Sequence, residues 1–406
     1  MSKKSPQLRF EGFTDDWEDR KLRDLLNKNS EKNKNLSVIN VESVSNKTGF
    51  TKQTDQFEDY SVASADLSNY YVIREKQFAY NPSRINVGSI AYKDLGDEIS
   101  VVSPLYVSFS TKKVLNDGFL WNWFKTASFD AQRQRLSEGG VRDTLSFNQL
   151  SEMNTMFPTY PEQEKIGSFF KQLDNTIALH QHKLDLLKEQ KKGYLQKMFP
   201  KNGAKVPELR FAGFADDWED RKLSSIAERV TRKNKNNEST LPLTISAQDG
   251  LVDQNDYFNK QVASRDVTGY FLVKNGEFAY NKSYSNGYPW GAIKRLDKYE
   301  MGVLSTLYIV FKPTAINSQF LVSYYETTRW YREVSKNAAE GARNHGLLNI
   351  SPNDFFNTLL TIPKSAEEQQ QIGSFFKQLD DTIALHQRKL DLLKEQKKGF
   401  LQKMFV

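Results

Sequence analysis

Apolar residues recur at alternating spacings of four and three along two segments of the chain. The first series runs from Ile166 to Met198 and the second from Ile372 to Met404, and eight of the ten positions in each are apolar. No proline interrupts either segment. A sustained 4-3 spacing is the heptad signature of a helix that packs against another helix. The pattern predicts two coiled-coil helices, each roughly 50 Å long at about 1.5 Å per residue.

Two positions in each heptad series are polar. They are His180 and Lys191 in the first series, and His386 and Lys397 in the second. A polar residue on a helix–helix seam costs stability and commonly fixes register or orientation. We interpret these residues as register-setting. The alternative is a partly exposed histidine and lysine stems that carry their charge out to water.

The two helical segments are copies of each other. Residues 166–199 and 372–405 differ only at Asn175/Asp381, His182/Arg388 and Tyr194/Phe400. A second copied block opens each half, LRFEGFTDDWEDRKL at 8–22 and LRFAGFADDWEDRKL at 209–223. Each helix needs a partner for its apolar stripe, and its twin is the obvious one. Halves related by a pseudo-two-fold axis would make the two helices antiparallel.

The segments between the copied blocks show short aromatic-rich runs separated by Gly, Asn and Asp. The runs at 70–73, 89–92 and 105–109 predict strands, and the segments 116–126 and 318–336 have helical character. The predicted fold class is therefore α+β, with two tandem α+β domains in pseudo-two-fold arrangement, separated by an antiparallel two-helix coiled coil.

These segments are diverged copies. FAYNPS at 78–83 matches FAYNKS at 278–283, and VVSPLYVSF at 101–109 matches VLSTLYIVF at 303–311. The residues that follow each FAYN motif differ between the halves. Divergence inside a shared framework indicates where two different specificities would lie.

Composition narrows the possible partners. Lys and Arg number 57 against 50 Asp and Glu, a net charge of +7, which permits a polyanionic partner without requiring one. The lysine-rich KEQKKG stretch of each helix fits a solvated helix end, with contact to a phosphate backbone as the alternative. Cysteine is absent, the start is polar and no run of 18 apolar residues occurs. We expect a cytoplasmic protein with no membrane partner.

Catalytic and metal-binding patterns are missing from the sequence. The four histidines are His180, His182, His345 and His386, and three of them lie on the predicted coiled coil. No G-x-S-x-G, Walker A or G-x-G-x-x-G motif occurs. We expect no catalytic residue, no metal site and no cofactor in this chain.

Three motifs occurring in both halves resemble the specificity (HsdS) subunit of type I restriction-modification enzymes. They are the LRF-x-GF-x-DDWE-x-RKL opening, the FAYN strand and the EQ-x-x-IG-SFF entry of each helix. The resemblance covers nearly the whole chain. It implies that two target recognition domains each read one half of a bipartite double-stranded DNA site in the major groove. The implied divisions are target recognition domain 1 at 1–160, the first spacer helix at 161–199, target recognition domain 2 at 200–365 with a linker at 200–208, and the second spacer helix at 366–406.

The resemblance also implies partners. The paired helices would set the spacing between half-sites and dock two methyltransferase (M) subunits, and restriction (R) subunits would complete the complex. AdoMet, ATP and Mg would then be bound by those partner subunits, which would carry the catalysis. Two other functions stay open: a coiled-coil interaction scaffold without direct sequence readout, and a self-contained methyltransferase or nuclease.

Side-chain chemistry selects candidate DNA contacts, because Arg pairs with guanine, Asn pairs with adenine, and Lys and Tyr often hold phosphate. We favour the segment after each FAYN motif and a Gly-rich stretch further on, and expect Arg133 and Arg135 at phosphate. The alternative is that FAYN is a core strand and the Gly-rich stretch a structural turn. The candidates are Tyr80, Asn81, Ser83, Arg84, Arg133, Arg135, Gly139, Gly140, Arg142 and Asp143 in the first half, and Tyr280, Asn281, Lys282, Ser283, Tyr284, Gly341, Arg343, Asn344 and His345 in the second.

Overall fold

The computed structural model divides the chain into two compact units. It describes residues 5–56, 66–136, 144–201, 203–246, 249–283, 288–338 and 348–406. The first unit comprises Met1–Gln181 and Arg388–Val406, and the second comprises His182–Gln387. Both boundaries between the units fall inside the predicted coiled-coil helices. Each unit therefore contains the beginning of one long helix and the end of the other.

The first unit is a mixed domain built around a four-stranded antiparallel sheet. The strand order is Leu26–Lys28, Val107–Thr111, Gln77–Tyr80, Ile90–Tyr92. Three two-stranded sheets pair Glu18–Lys21 with Asn154–Phe157, Glu42–Ser45 with Gly49–Lys52, and Tyr71–Ile73 with Ser100–Val102. The helices are Leu22–Asp24 and Ile85–Val87, both 3-10, and Gln53–Gln56, Asp117–Trp123, Ala127–Leu136, Phe147–Ser151 and the first long helix Tyr160–Lys197.

The second unit repeats this topology. Its four-stranded sheet has the order Ala227–Arg229, Ile309–Pro313, Phe278–Asn281, Ala292–Arg295. Two-stranded sheets pair Glu219–Lys222 with Leu359–Ile362, Leu243–Ser246 with Gly250–Asp253, and Phe271–Lys274 with Met301–Leu304. The helices are Leu223–Ile226, Gln254–Phe258, Ser318–Glu326, Tyr331–Asn337, Pro352–Phe356 and the second long helix Ala366–Lys403.

The predicted strands and helices are confirmed with small shifts at their ends. The helical stretch at 318–336 is two helices because the chain turns between Glu326 and Tyr331. The hydroxyl of Thr327 donates to the carbonyl of Tyr324 at 2.7 Å, and the indole of Trp330 donates to the carbonyl of Tyr325 at 3.2 Å. These bonds satisfy two backbone carbonyls that a continuous helix would have paired internally.

Each unit has an aromatic core that uses the copied motifs. Trp17, from the first DDWE block, is buried 5.8 Å from Phe119 and 6.4 Å from Phe405, between ring centroids. In the second unit the equivalent Trp218 lies 5.9 Å from Phe320 and 6.0 Å from Phe199. The opening block therefore serves packing, and the end of a long helix completes each core.

The long helices pack through the predicted seam. All ten heptad positions of each helix are buried or half-buried. In the first unit Phe169 meets Phe400 at 5.1 Å between ring centroids and Asp174 pairs with Lys397, so rising residue numbers on one helix meet falling numbers on the other. In the second unit Tyr194 meets Phe375 at 5.0 Å and Lys191 pairs with Asp380. The antiparallel prediction is confirmed within each unit.

The seam lysines both carry ion pairs, and their role in setting the register stays a prediction. The ammonium of Lys191 lies 2.7 Å from a carboxylate oxygen of Glu326 and 2.5 Å from one of Asp380. Lys397 pairs with Asp174, the counterpart of Asp380.

Within the described ranges, none of the helices has the length and hydropathy needed to cross a bilayer.

Candidate nucleic-acid interface

The EQ-x-x-IG motif joins each domain to its long helix. Arg9 donates from Nε and Nη2 to the two carboxylate oxygens of Glu162 at 2.6 and 2.7 Å, and Arg210 makes the same bidentate pair with Glu368 at 2.7 and 2.8 Å. Both glutamates are at most 1% exposed. Sequence reasoning missed these pairs, although the arginine and the glutamate both recur in the copied blocks.

The glutamine of the motif binds backbone on two sides. The side-chain oxygen of Gln163 accepts from the amide of Asn116 at 2.8 Å, and its nitrogen donates to the carbonyl of Pro158 at 2.8 Å. Gln369 repeats both bonds with Asn317 and Pro363, each at 2.9 Å. The motif therefore fixes the start of each long helix against its own domain.

The tyrosine of each FAYN motif is a core residue. The rings of Tyr80 and Tyr280 have no exposed surface, and Tyr280 stacks 4.8 Å from Phe355 between centroids. Burial raises the pKa of both hydroxyls. Tyr280 donates to the carbonyl of Trp290 at 2.8 Å, whereas the buried hydroxyl of Tyr80 has no hydrogen-bond partner among the described residues. These facts favour the core-strand alternative for both tyrosines, and their contact with DNA stays a prediction.

The asparagine that follows holds a turn in both units. The side-chain oxygen of Asn81 accepts from the amide of Ser83 at 3.0 Å, and Asn281 does the same with Ser283 at 3.0 Å. The turn presents an exposed Arg84 in the first unit. In the second unit Lys282 is half-buried, donates to the carbonyl of Ile350 at 3.4 Å, and has its pKa lowered by burial.

The structure places the turn after each FAYN motif beside a leucine that follows the Gly-rich stretch in the chain. The amide of Leu145, just after the Gly-rich stretch, donates to the carbonyl of Pro82 at 3.0 Å. In the second unit the amide of Leu348 donates to the carbonyl of Lys282 at 3.0 Å. The turn after FAYN thus lies beside Leu145 in the first unit and beside Leu348 in the second, although more than 60 residues separate the bonded residues in the chain.

The remaining candidates divide into three groups. Arg133 is 5% exposed, and its guanidinium donates to Asp130 at 2.8 and 3.0 Å, which favours a structural role. Arg135 is exposed in the last turn of the same helix. The third group lies outside the described residues and consists of Gly139, Gly140, Arg142, Asp143, Tyr284, Gly341, Arg343, Asn344 and His345.

Known proteins share this architecture. The chain is similar to the S subunit of a type I restriction-modification system from M. genitalium, known from a crystal structure, with 16% identity over 99% of both chains and a TM-score of 0.58. It is also similar to a chain from a structure described as the basis of complex assembly and conformational transition of the type I R-M system. That match has 14% identity, covers 98% of this chain and 99% of the other, and has a TM-score of 0.50. Identities this low show a shared fold alone.

The sequence itself carries the family relationship. Among curated protein sequences no significant match is found. The family model for the type I restriction modification DNA specificity domain matches residues 14–189 and again residues 215–395. Those two ranges take in both FAYN strands and most of both long helices, so the chain belongs to the type I restriction modification DNA specificity family.

Proposed function

We propose that this chain reads a bipartite DNA site, with one half-site contacted by each unit and the paired helices setting the distance between them. Two M subunits would dock on the helices, R subunits would join the complex, and AdoMet, ATP and Mg would be bound by those partners. The observation that carries the proposal is that the turn after FAYN is bonded to Leu145 in one unit and to Leu348 in the other, the leucines that follow the two Gly-rich stretches in the chain. The two units share this framework and differ in the residues mounted on it.

The chemistry of these segments suits base recognition. Arg84 is exposed on a turn that Asn81 braces, so its guanidinium extends from a fixed backbone. Bidentate arginine contacts are the commonest specific readers of guanine in the major groove. Arg343 belongs to the other favoured segment, the Gly-rich stretch of the second half.

Selection from a randomised duplex library tests the proposal. The full chain is expected to select two short fixed sequences at a constant separation. Arg84→Ala is expected to relax one half-site and Arg343→Ala the other, each costing about 1–3 kcal/mol because a bidentate pairing with a base is removed. Arg20→Ala is the control, because Arg20 is exposed and pairs with Glu18 within its own strand.

Two results would overturn the proposal. One is a single contiguous motif, and the other is equal loss at both half-sites for either variant. Duplex binding with no salt dependence, or no binding at all, would favour the interaction scaffold, since phosphate contacts make affinity fall steeply with salt.

A further inference from the structure

A cationic groove of about 670 Å³ lies in the second unit. It runs between the end of the first long helix, the strand Ala292–Arg295 and the turn after Ser318–Glu326. Its cationic lining residues are Lys188, Lys191, Lys192, Lys294 and Arg329. Glu326 is the one carboxylate among the described lining residues.

Two of the five cations are already engaged. Lys191 lies between the carboxylates of Glu326 and Asp380 at 2.7 and 2.5 Å. The guanidinium of Arg329 donates to the carbonyl of Gln196 at 3.0 Å. Both side chains therefore brace the wall of the groove.

Lys294 differs from Lys191 and Arg329 in its solvation and in its pairing. Its side chain is half-buried and burial lowers its pKa, which is the response of an ammonium group to desolvation. The nearby carboxylates of Glu326 and Asp380 raise that pKa in part, but both are bonded to Lys191. Among the described residues no oxygen forms a hydrogen bond or ion pair with the ammonium of Lys294. A desolvated cation of this kind gains most from an anionic oxygen.

The rim of the groove carries two further cations. Lys188 and Lys192 are exposed at the rim of the groove, where the only described pairing is a 3.8 Å contact from Lys192 to the exposed Glu189. Such a surface pair holds its lysine weakly.

The groove lies next to the segment proposed to read DNA. The strand that carries Lys294 pairs with the FAYN strand, with Ala279 opposite Lys294 and Asn281 opposite Ala292. An anion held by Lys294 would therefore lie one strand away from the turn after FAYN. Because the groove adjoins the segment proposed to read DNA, its position favours a phosphate of the same DNA as the ligand over a separate small molecule.

The first unit lacks this chemistry although its long helix has the same sequence. Ala91 occupies the position of Lys294, because it pairs with Ala79 as Lys294 pairs with Ala279. The counterparts of the rim lysines are Lys394 and Lys398.

We propose that this groove binds backbone phosphate of duplex DNA, with Lys294 as the inner ligand and Lys188 and Lys192 at the rim. The inference rests on the proposed function and adds to it an anchoring contact that only the second unit makes. It also gives the KEQKKG stretch of the first long helix a role that the identical stretch of the second does not share.

The test is the salt dependence of binding to a duplex carrying the selected bipartite site. Lys294→Met is expected to weaken binding about tenfold and to lower the slope of log K against log salt by about one, as removal of one phosphate ligand does. Lys188→Gln with Lys192→Gln should lower the slope, whereas the matched control, Lys394→Gln with Lys398→Gln, should not.

Each outcome decides the proposal. An unchanged affinity and slope for Lys294→Met, with wild-type binding intact and the thermal unfolding of the variant normal, would overturn the groove and leave the proposed function standing. Loss of methyltransferase-subunit binding in place of DNA binding would assign the groove to an acidic protein partner. A wild-type chain without salt-dependent duplex binding would overturn both proposals.

Discussion

Two buried Arg–Glu pairs are the most consequential contacts between single residues. Glu162 has no exposure and accepts two hydrogen bonds from Arg9, whose side chain is 15% exposed. Charges removed from water are tolerated only when they are paired and bonded, and removing one partner leaves the other uncompensated. Arg9 and Glu162 must therefore both be present for the opening block to stay packed against the long helix.

Removing Arg9 alone should destabilise the first unit strongly. Arg9→Met is expected to lower its free energy of unfolding by about 3–5 kcal/mol, whereas Arg9→Met combined with Glu162→Met should recover most of that stability. Chemical denaturation followed by tryptophan fluorescence measures both, since Trp17 lies in the same core. Arg20→Met, in an exposed pair, should change stability by less than about 1 kcal/mol. An Arg9→Met protein as stable as wild type would contradict the expectation.

The positive charge of Lys125 is only partly compensated by a nearby carboxylate. It lies 3.7 Å from Asp174, which also pairs with Lys397, and it packs 4.3 Å above the ring of Trp121. Burial, together with the nearby Lys397, lowers the pKa of Lys125 to about 8. The second unit has Glu326 at the equivalent position, so its seam lysine has two carboxylates where the first has one.

Copying the second unit's charge should stabilise the first. Lys125→Glu is expected to gain roughly 1 kcal/mol, because relief of the repulsion from Lys397 outweighs the cation–π attraction to Trp121. Because the folded pKa is depressed, the unfolded state binds more protons between about pH 8 and 10.5, so the wild-type penalty is full below pH 8 and fades as pH rises. Thermal unfolding across this range should show that dependence in wild type and not in Lys125→Glu. A variant less stable at pH 7 would contradict it.

At the scale of elements, close packing at the start of each long helix joins the helix to its domain. A Cβ added at Gly373 would lie 2.7 Å from the amide nitrogen of Phe320, and one at Gly167 would lie 3.0 Å from the carbonyl carbon of Gly118. These glycines let the long helix touch the N-terminus of a shorter helix that Asn116 or Asn317 caps. The glycine of each EQ-x-x-IG motif thus lies where the long helix contacts a shorter helix.

The two glycines of the second long helix should respond in opposite ways to alanine. Gly373→Ala is expected to destabilise the second unit by about 1–3 kcal/mol because backbone atoms block the new methyl group. Gly399→Ala is the matched control. No described atom lies within 4 Å of the added Cβ, so it should stabilise by about 0.5–1 kcal/mol through helix propensity. Denaturation midpoints measure both, and equal effects would contradict the packing argument.

At the scale of the whole molecule, the duplicated chain assembles each unit from both halves of the sequence. Met404 and Phe405 complete the core that contains Trp17, and Met198 and Phe199 complete the one that contains Trp218. Each core thus ends on the same MF dipeptide, contributed by the long helix that began in the other unit. Under the proposed function, the length of the helices decides the spacer of the DNA site.

Changing helix length tests this proposal. Seven residues added to both long helices lengthen each by about 10 Å, which corresponds to about three base pairs. The selected spacer is expected to grow by that amount with both half-sites unchanged. Seven residues added between 166 and 199 alone should disrupt helix pairing, because the 191–380 and 174–397 pairs could no longer form together. An unchanged spacer in the doubly extended chain would argue against the helices as the spacer.

The sequence by itself determined the features that have a local or repeated signature. The heptad spacing marks the long helices and their seam, near-identity marks the doubling, and aromatic-rich runs mark strands such as Tyr71–Ile73. Each of these patterns reflects a few neighbouring residues, so it can be read without knowing the partners. Family membership followed from motifs of the same kind.

The tertiary structure alone decided which distant residues meet. Arg9 and Glu162 are 153 positions apart, and no local pattern links them. Polar residues near FAYN looked alike in the sequence, yet Tyr80 is enclosed by core rings while Arg84 extends from the turn. The charged neighbours of Lys125 and Lys294 likewise come from elements far away in the chain. Burial and pairing depend on which surfaces fold together, and for that reason they became visible only in three dimensions.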